Sequence, residues 1–403
     1  MTETNSAAQS NPWRRQIVLM TLAHTVGTAG YVSVMTMAPV IRAELELNAT
    51  QVGSFISAFY FAQAVTAPPG GFMADRMGVG TTLVVAMALL AIGAAWFAGV
   101  SSYPPAVAAA FVMGLGYAMV NPATAKGVLT WFKPEHRATA MGVKQMGVPL
   151  GGLLASGLGA AVVFLSWRHL LFGIAVTTVV VGAFWWRQAE KPKTGSGGLR
   201  SVLADLKTVY LNRKLGCLNL ASITFNGGQQ GFSAYLTLFL RDVAGTSQPF
   251  AGMCMGIAQS AGAVGRVLWA LVSDRYTAGR RKGVFLTILT AAVAGMALAG
   301  AVTASWPAAM LMCLALLLGA TILAYAALMH TLCAEAVPPQ LAGAAIGSNL
   351  LATSIGGSFG PILFGTIVDL TGSYTPAWLT MGGIVSVGVL LVAFGFKETP
   401  RSD

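Results

Sequence analysis

The sequence predicts an all-α integral membrane protein with twelve transmembrane helices in two pseudo-symmetric six-helix halves. Three observations carry that expectation. The chain is 55% hydrophobic and only 9% charged, with a mean hydropathy of +0.70, whereas a water-soluble domain carries about 25% charged residues. Its apolar runs recur at lengths suited to crossing a bilayer, separated by short polar loops. An Asp-Arg marker, Asp75-Arg76 in GGFMADRMG, returns about half the chain later as Asp274-Arg275 in GRVLWALVSDR.

In chain order, residues 1–12 read as a polar cytoplasmic tail and Trp13-Arg14-Arg15 as an interface. The run from Gln16 to Ile41 is too long for a cleaved signal core and reads as the first span. Further spans follow at Val52 to Ala74, Thr81 to Val100, Pro105 to Phe132, Ala138 to Leu165 and Leu170 to Trp186, completing a first bundle over 13–186. Residues 187–214, with KPKTGSGG, read as a cytoplasmic linker. Within it Leu199, Val202, Leu203, Leu206, Val209 and Tyr210 keep helical spacing opposite Arg200 and Lys207, which fits either a helix on the membrane surface or a plain spacer. The second bundle, 215–396, holds spans at Leu215 to Leu240, Phe250 to Val272, Val284 to Val302, Pro307 to Leu332, Ala342 to Val368 and Ala377 to Phe396, before a tail at 397–403.

Lys and Arg fix the orientation. The N-terminus, alternate loops, linker and C-terminus carry nearly all of them, while the opposite loops hold Arg42, Arg168 and Arg241. That asymmetry puts both termini in the cytoplasm of an inner-membrane protein. The net charge of +11 is spread over short loops and forms no basic patch on a folded domain, so nucleic acid is not an expected partner. The four cysteines show no metal-ligand spacing. With no nucleophile and base, metal cluster or cofactor motif, the chain reads as a non-enzyme needing no cofactor or metal.

Three cations remain inside the spans, Lys126, Lys144 and Arg266, and the thirteen carboxylates all fall at loops, termini or span ends. Burying a cation costs about 2.5 to 3.5 kcal/mol on insertion scales, so one without a carboxylate usually faces a wet cavity and a ligand. The missing partner would be a small anionic substrate. Lys126 and Lys144 lie near the cytoplasmic ends of spans four and five, where a long stem could instead snorkel to the headgroups. Arg266 stands roughly 12 Å deeper than Asp274 along a helix. Gln259, Gly262 and Ser273 share its face, and its planar fork suits a carboxylate; the alternative is a cap on backbone carbonyls.

Other polar stripes are candidate cavity linings: His24 and Tyr31, with Thr28, on span one; Asn226, Gln230 and neighbours on span seven; Asn349 and Thr353 on span eleven. Each can also serve hydrogen bonding between helices. Pro68, Pro69, Pro122, Pro149 and Pro361 permit kinks. Gly142, Gly147, Gly151 and Gly152 on span five, and Gly356, Gly357, Gly360 and Gly365 on span eleven, remove side-chain bulk as a rocking contact between repeats requires.

Gly71, Asp75, Arg76 and Gly78 resemble the loop motif of major facilitator superfamily secondary transporters, and Ser273-Asp274-Arg275 resembles its repeat after span eight. The resemblance covers almost the whole chain. It implies alternating access, with Asp75, Arg76, Asp274 and Arg275 as cytoplasmic gates. The GR before SDR in span eight, with GPILFGTIVDLTGSY, is similar to oxalate/formate and monocarboxylate carriers; VKQMGVPLGG is similar to cyanate-type permeases. In the former an arginine of span eight contacts the carboxylate, which places that role on Arg266. Their lysine in span eleven has no counterpart here, Val79 and Gly80 replace basic residues of the first motif, and Ala110 stands where span four often carries an arginine. The expected function is transport of a small organic anion, a mono- or dicarboxylate, by a monomer among membrane lipids, with a proton or an exchanged anion as the coupled species. The alternatives are an inorganic-anion permease, a drug or cation efflux antiporter, which would want an intramembrane carboxylate, and a non-transporting sensor, which would want an output domain.

Overall fold

Helices account for all the regular structure among the described residues of the computed structural model, which are 13–133, 136–188, 212–276, 281–338 and 341–397. The tail 1–12, most of the linker 187–214 with its amphipathic stretch, and nearly all of the tail 397–403 lie outside them. So do the side chains of Asp75 and Asp274, although both positions are helical. We number the helices α1 (Gln16–Thr36), α2 (Ala38–Glu44), α3 (Ala49–Gly99), α4 (Tyr103–Trp131), α5 (Arg137–Gln145), α6 (Gly147–Ala161) and α7 (Trp167–Trp186). After the linker come α8 (Arg213–Asp242), α9 (Gln248–Tyr276), α10 (Arg281–Gly300), α11 (Ala308–Ile322), α12 (Ala326–Glu335), α13 (Ala342–Thr371) and α14 (Tyr374–Leu390), closed by a π turn, Leu391–Gly395. Nine stretches among the described residues are long and apolar enough to cross a membrane, and large apolar side chains such as Phe172, Val267 and Phe394 are exposed. The chain is an integral, multi-pass membrane protein.

Several expected spans are broken, and the breaks have local causes. Span one stops at Met37 because Pro39 opens α2 and has no N–H to continue the ladder. Span five divides at Met146, four residues after Gly142 and just before the residues whose turn Pro149 disrupts. Spans two and three run together as α3, turned at Gly78, where φ of 79° is open to glycine and costly for other residues. Span ten parts at Leu323 to Tyr325 into α11 and α12, with neither proline nor glycine at the break.

Among the described residues, hydrogen bonds crossing from residues 16–186 to 213–397 gather at one end. The Asp369 carboxylate at the end of α13 accepts from the backbone N–H groups of Ala49 (2.9 Å) and Thr50 (2.7 Å) and from the Thr50 hydroxyl (2.5 Å). These are the first two amides of α3, and Asn48 accepts from the third, Gln51, at 2.8 Å in a capping box. Arg42 donates to Asp242 at 2.6 Å, and Tyr374 donates to the same carboxylate oxygen at 2.7 Å. Gln248 donates to the carbonyls of Thr36 (2.8 Å) and Gly159 (3.0 Å), and Thr237 to that of Met35 (3.0 Å). Close by, the indole of Trp167 (2.6 Å) and the guanidinium of Arg168 (2.8 Å) grip Glu44, and hold its carboxyl below the usual range.

Below this seal the helices meet without side chains between them. A Cβ on Gly53 would strike the Pro361 carbonyl and the Tyr235 hydroxyl, and one on Gly357 would strike the Tyr60 ring. Likewise α6 lies directly on α1, where Gly147 faces the Cβ of His24 and Gly151 that of Thr28. These are positions where glycine is required by close approach.

Candidate functional site

Arg266 sits at the middle of α9, half-buried, and a cage of tyrosines from both parts of the chain surrounds it. Its electrostatic neighbours are Tyr31 of α1, Tyr60 of α3, Tyr117 of α4 and Tyr325 at the break between α11 and α12. The rings are close-packed: Tyr31 stacks on Phe59 at 4.4 Å, and meets Tyr117 at 5.7 Å and Tyr60 at 6.2 Å. The Tyr117 hydroxyl shares a 3.0 Å hydrogen bond with Thr28.

One of the five donors of Arg266 is used locally. Its Nε donates to the Leu323 carbonyl at 3.2 Å, and Trp269, three residues on, donates to the Ala320 carbonyl at 2.7 Å. The break after α11 frees those carbonyls, so part of the capping role foreseen for Arg266 is realised. The fork formed by its two Nη groups makes no hydrogen bond to the described residues, and no carboxylate stands among its electrostatic neighbours there. A planar pair of donors remains directed at a partner that the described side chains do not supply.

The other predicted residues fall into separate groups. Asn226 donates to the Thr353 carbonyl (2.6 Å) and accepts from Gln230 (3.4 Å); Asn349 donates to Asn219 (3.1 Å) and Ser222 (2.7 Å), so these amides knit α8 to α13. Asn226 also lies beside Gly357, next to the Tyr60 ring, and so reaches the edge of the cage. Gln259 is half-buried one turn from Met255 and covers Gly152 of α6, bridging the two parts of the chain. Lys126 donates to the Ala74 carbonyl at 2.8 Å, near the Asp75-Arg76 turn.

Lys144 and His24 form a second centre. Lys144 is 1% exposed, and its Nζ donates to Asn121 Oδ1 (2.9 Å) and to Thr124 Oγ1 (3.0 Å). His24 Nε2 lies 3.0 Å from the same Thr124 oxygen. Both side chains are enclosed by α1, α4 and α5, apart from the cage. Arg76 and Arg275, expected from the sequence to be gate residues, are exposed.

Sequence reasoning found Tyr31 and missed Tyr60, Tyr117 and Tyr325. The available signal was depth: tyrosines favour the membrane interfaces, and these stand in the middle of long apolar runs.

The family comparisons agree with this architecture. The model of the Major Facilitator Superfamily matches residues 19–361 and 266–403. The hexuronate transporter of Bacillus subtilis (strain 168) is 26% identical over 394 residues, covering 93% of each chain. The probable L-galactonate transporter of Escherichia coli (strain K12) is 25% identical over 387 residues, covering 90% of this chain and 85% of its own. Among solved structures, a bacterial homolog of the human lysosomal transporter Spinster, inward-facing and occupied, superposes with a TM-score of 0.77 at 17% identity, covering 96% of this chain and 97% of its own. The nucleoside transporter NupG superposes with a TM-score of 0.76 at 16% identity, covering 96% of this chain and 100% of its own. With matches that run through the spans, the Gly78 turn and the Arg266 cage alike, this chain belongs to the Major Facilitator Superfamily, a family of transporters and not of enzymes.

Proposed function

We propose that the protein is a secondary active transporter of a hydroxylated organic carboxylate, moved by alternating access. The observation that carries this reading is the half-buried Arg266, whose fork is open within a cage of tyrosines contributed by both parts of the chain. A carboxylate would take the fork bidentately, tyrosine hydroxyls would serve the substrate's hydroxyls, and ring faces would cover its C–H surfaces. Tyr31, Gln230, Gln259, Asn226 and Asn349 complete the polar shell or brace it. The relatives' names support the class: hexuronate, L-galactonate and galactarate/D-glucarate are hydroxy acids, and the probable sulfoacetate transporter of Cupriavidus necator also moves an organic anion.

In this reading two six-helix bundles, 13–186 and 215–396, rock about the cage in an inner membrane, with the linker 187–214 and both tails in the cytoplasm. The Lys and Arg asymmetry then makes the Asp369 end the outer one, sealed in this state, and the Asp75-Arg76 and Asp274-Arg275 turns the inner gates.

Equilibrium binding to purified protein tests it, with hexuronates, aldonates, aldarates and sulfonates set against organic cations. Arg266→Gln is expected to lose about 2 to 5 kcal/mol of affinity, and Arg266→Lys somewhat less, because a lysine keeps charge without the fork. Binding of cations alone, or wild-type affinity in Arg266→Gln, would overturn the proposal.

A further inference from the structure

We propose that Lys144 and His24, bridged by the Thr124 hydroxyl, form a single-proton site that couples proton movement to transport of the anion. The inference rests on the anion-transport reading above and adds the coupled ion and its place.

Hydrogen-bond accounting defines the site. A threonine hydroxyl has one proton and two lone pairs. Thr124 Oγ1 accepts from Lys144 Nζ and lies 3.0 Å from His24 Nε2, and its own proton has the Val120 carbonyl (2.7 Å) and the Asn121 carbonyl (3.1 Å) as acceptors. With that proton on a carbonyl, His24 is the neutral Nε2–H tautomer and donates to Thr124. Its Nδ1 is left as a buried acceptor without a partner among the described residues.

The surroundings leave one charge, not two. Among the described residues the charged group interacting with His24 is Lys144. Of the elements packed on this turn, α4 supplies the uncharged Asn121 and Thr124, α5 supplies Lys144, and α6 supplies Gly147. Lys126, the cation of α4, is turned to the Ala74 carbonyl, and Arg266 interacts with the tyrosines and His330. Two bases that share one oxygen, with no carboxylate among these groups, repel each other's protons, so their titrations are coupled and the pair takes one proton more readily than two. The proton comes from water on one side and leaves to water on the other. No bond between heavy atoms changes, and the site's charge alternates by one.

The position ties this site to the cage. His24, Thr28 and Tyr31 lie on one face of α1, with Thr28 bonded to Tyr117, which places the proton site about 10 Å along the helix from Tyr31. The break at Met146 follows Lys144 by two residues, and α6 then rests on α1 through glycine. Motion of α5 and α6 against α1 therefore alters the Lys144–Thr124–His24 distances directly.

The test uses proteoliposomes and D-glucuronate. In exchange at equal concentrations on both sides no net proton movement is needed; in uphill uptake driven by a pH gradient it is. Lys144→Gln, His24→Asn and Thr124→Val are expected to keep exchange and to lose gradient-driven accumulation, and Lys144→Arg, which cannot release its proton, to behave the same way. A variant that exchanges and still accumulates like wild type would overturn the proposal. A wild-type protein that exchanges no hydroxy acid would instead count against the substrate reading, and the site is then judged without substrate. For that, nitrogen-15 NMR of the histidines, with His24 assigned by its loss in His24→Asn, should show its midpoint rising by about one pH unit or more in Lys144→Met. An unmoved midpoint would refute the shared proton.

Discussion

In the proposed orientation, Asp369→Asn should loosen the seal at the outer end. The carboxylate closes three donors of α3, two of them the orphan amides that begin the helix. An asparagine keeps one acceptor oxygen and turns an NH2 group toward a backbone N–H, so a bond to Thr50 or Ala49 becomes a repulsion. A charge at a helix N-terminus is worth about 0.3 to 1 kcal/mol when exposed and up to about 2 kcal/mol when partly buried. Asp369 is exposed, so the lower half applies. Adding the loss of one charge-assisted hydrogen bond gives a bias of about 1 to 2 kcal/mol, and about 1.4 kcal/mol is tenfold in population. The assay is labelling by a membrane-impermeant maleimide of Ala38→Cys, which is 2% exposed in the sealed state, after replacing Cys217, Cys254, Cys313 and Cys333. Labelling from outside should rise about tenfold in Asp369→Asn, by the same conversion. Unchanged labelling in a variant that melts like its parent would mean that the carboxylate caps α3 without biasing the conformational equilibrium.

Further outcomes follow from the same contacts. Gly357→Ala drives a methyl into the Tyr60 ring and should cost about 1 to 3 kcal/mol of stability, read as a lower melting temperature together with weakened binding. Tyr117→Phe removes the bond to Thr28 while keeping the ring, and should lose about 0.5 to 1.5 kcal/mol of substrate affinity by calorimetry, with no change in fold. Because Trp167, then Arg168, hold the Glu44 carboxyl below its usual value, its contribution is full above the unfolded value of 4.5 and fades as pH falls through the lower folded value. Glu44→Gln should accordingly flatten the acid limb of a stability profile, by under about 1 kcal/mol since the pair is partly exposed.

Much of this architecture was legible in order of sequence and little of it across sequence. Arg266 stood out because hydrocarbon penalises a cation, a local fact that needs no partner to be known. The tyrosine cage did not, since an aromatic residue in an apolar run satisfies the same pattern whether it packs or binds. Only the meeting of α1, α3, α4 and α9 distinguishes the two. Pro149 announces the break at Met146, whereas the parting of α11 from α12 at Leu323 to Tyr325 has no breaker to announce it and is stabilised by donors from Arg266 and Trp269. Asp369 was legible as one of the carboxylates at loops, termini or span ends. Its target, the start of a helix at Ala49, could not be read from anything nearby. Asn226, Gln230 and Asn349 read as cavity linings; in the structure Asn226 and Asn349 bond α8 to α13 and Gln230 donates to Asn226 within α8, the competing use that a polar stripe always has.

The glycine contacts of α3 with α13, and of α1 with α6, also set what the lineage of this protein is free to change. A cage built from side chains can be rewritten one residue at a time, since exchanging Tyr117 or Gln259 leaves the backbones where they are. At Gly147 and Gly151 the neighbouring atoms are backbone or Cβ, at Gly53 they include the Pro361 carbonyl, and at Gly357 they are the Tyr60 ring, so almost any mutation is refused. A saturation library should therefore split into two sets: positions around Arg266 that tolerate replacement and alter which acids support growth, and a file of glycines that tolerate none whatever the nutrient. New substrates would arise from the first set while the second is inherited unchanged.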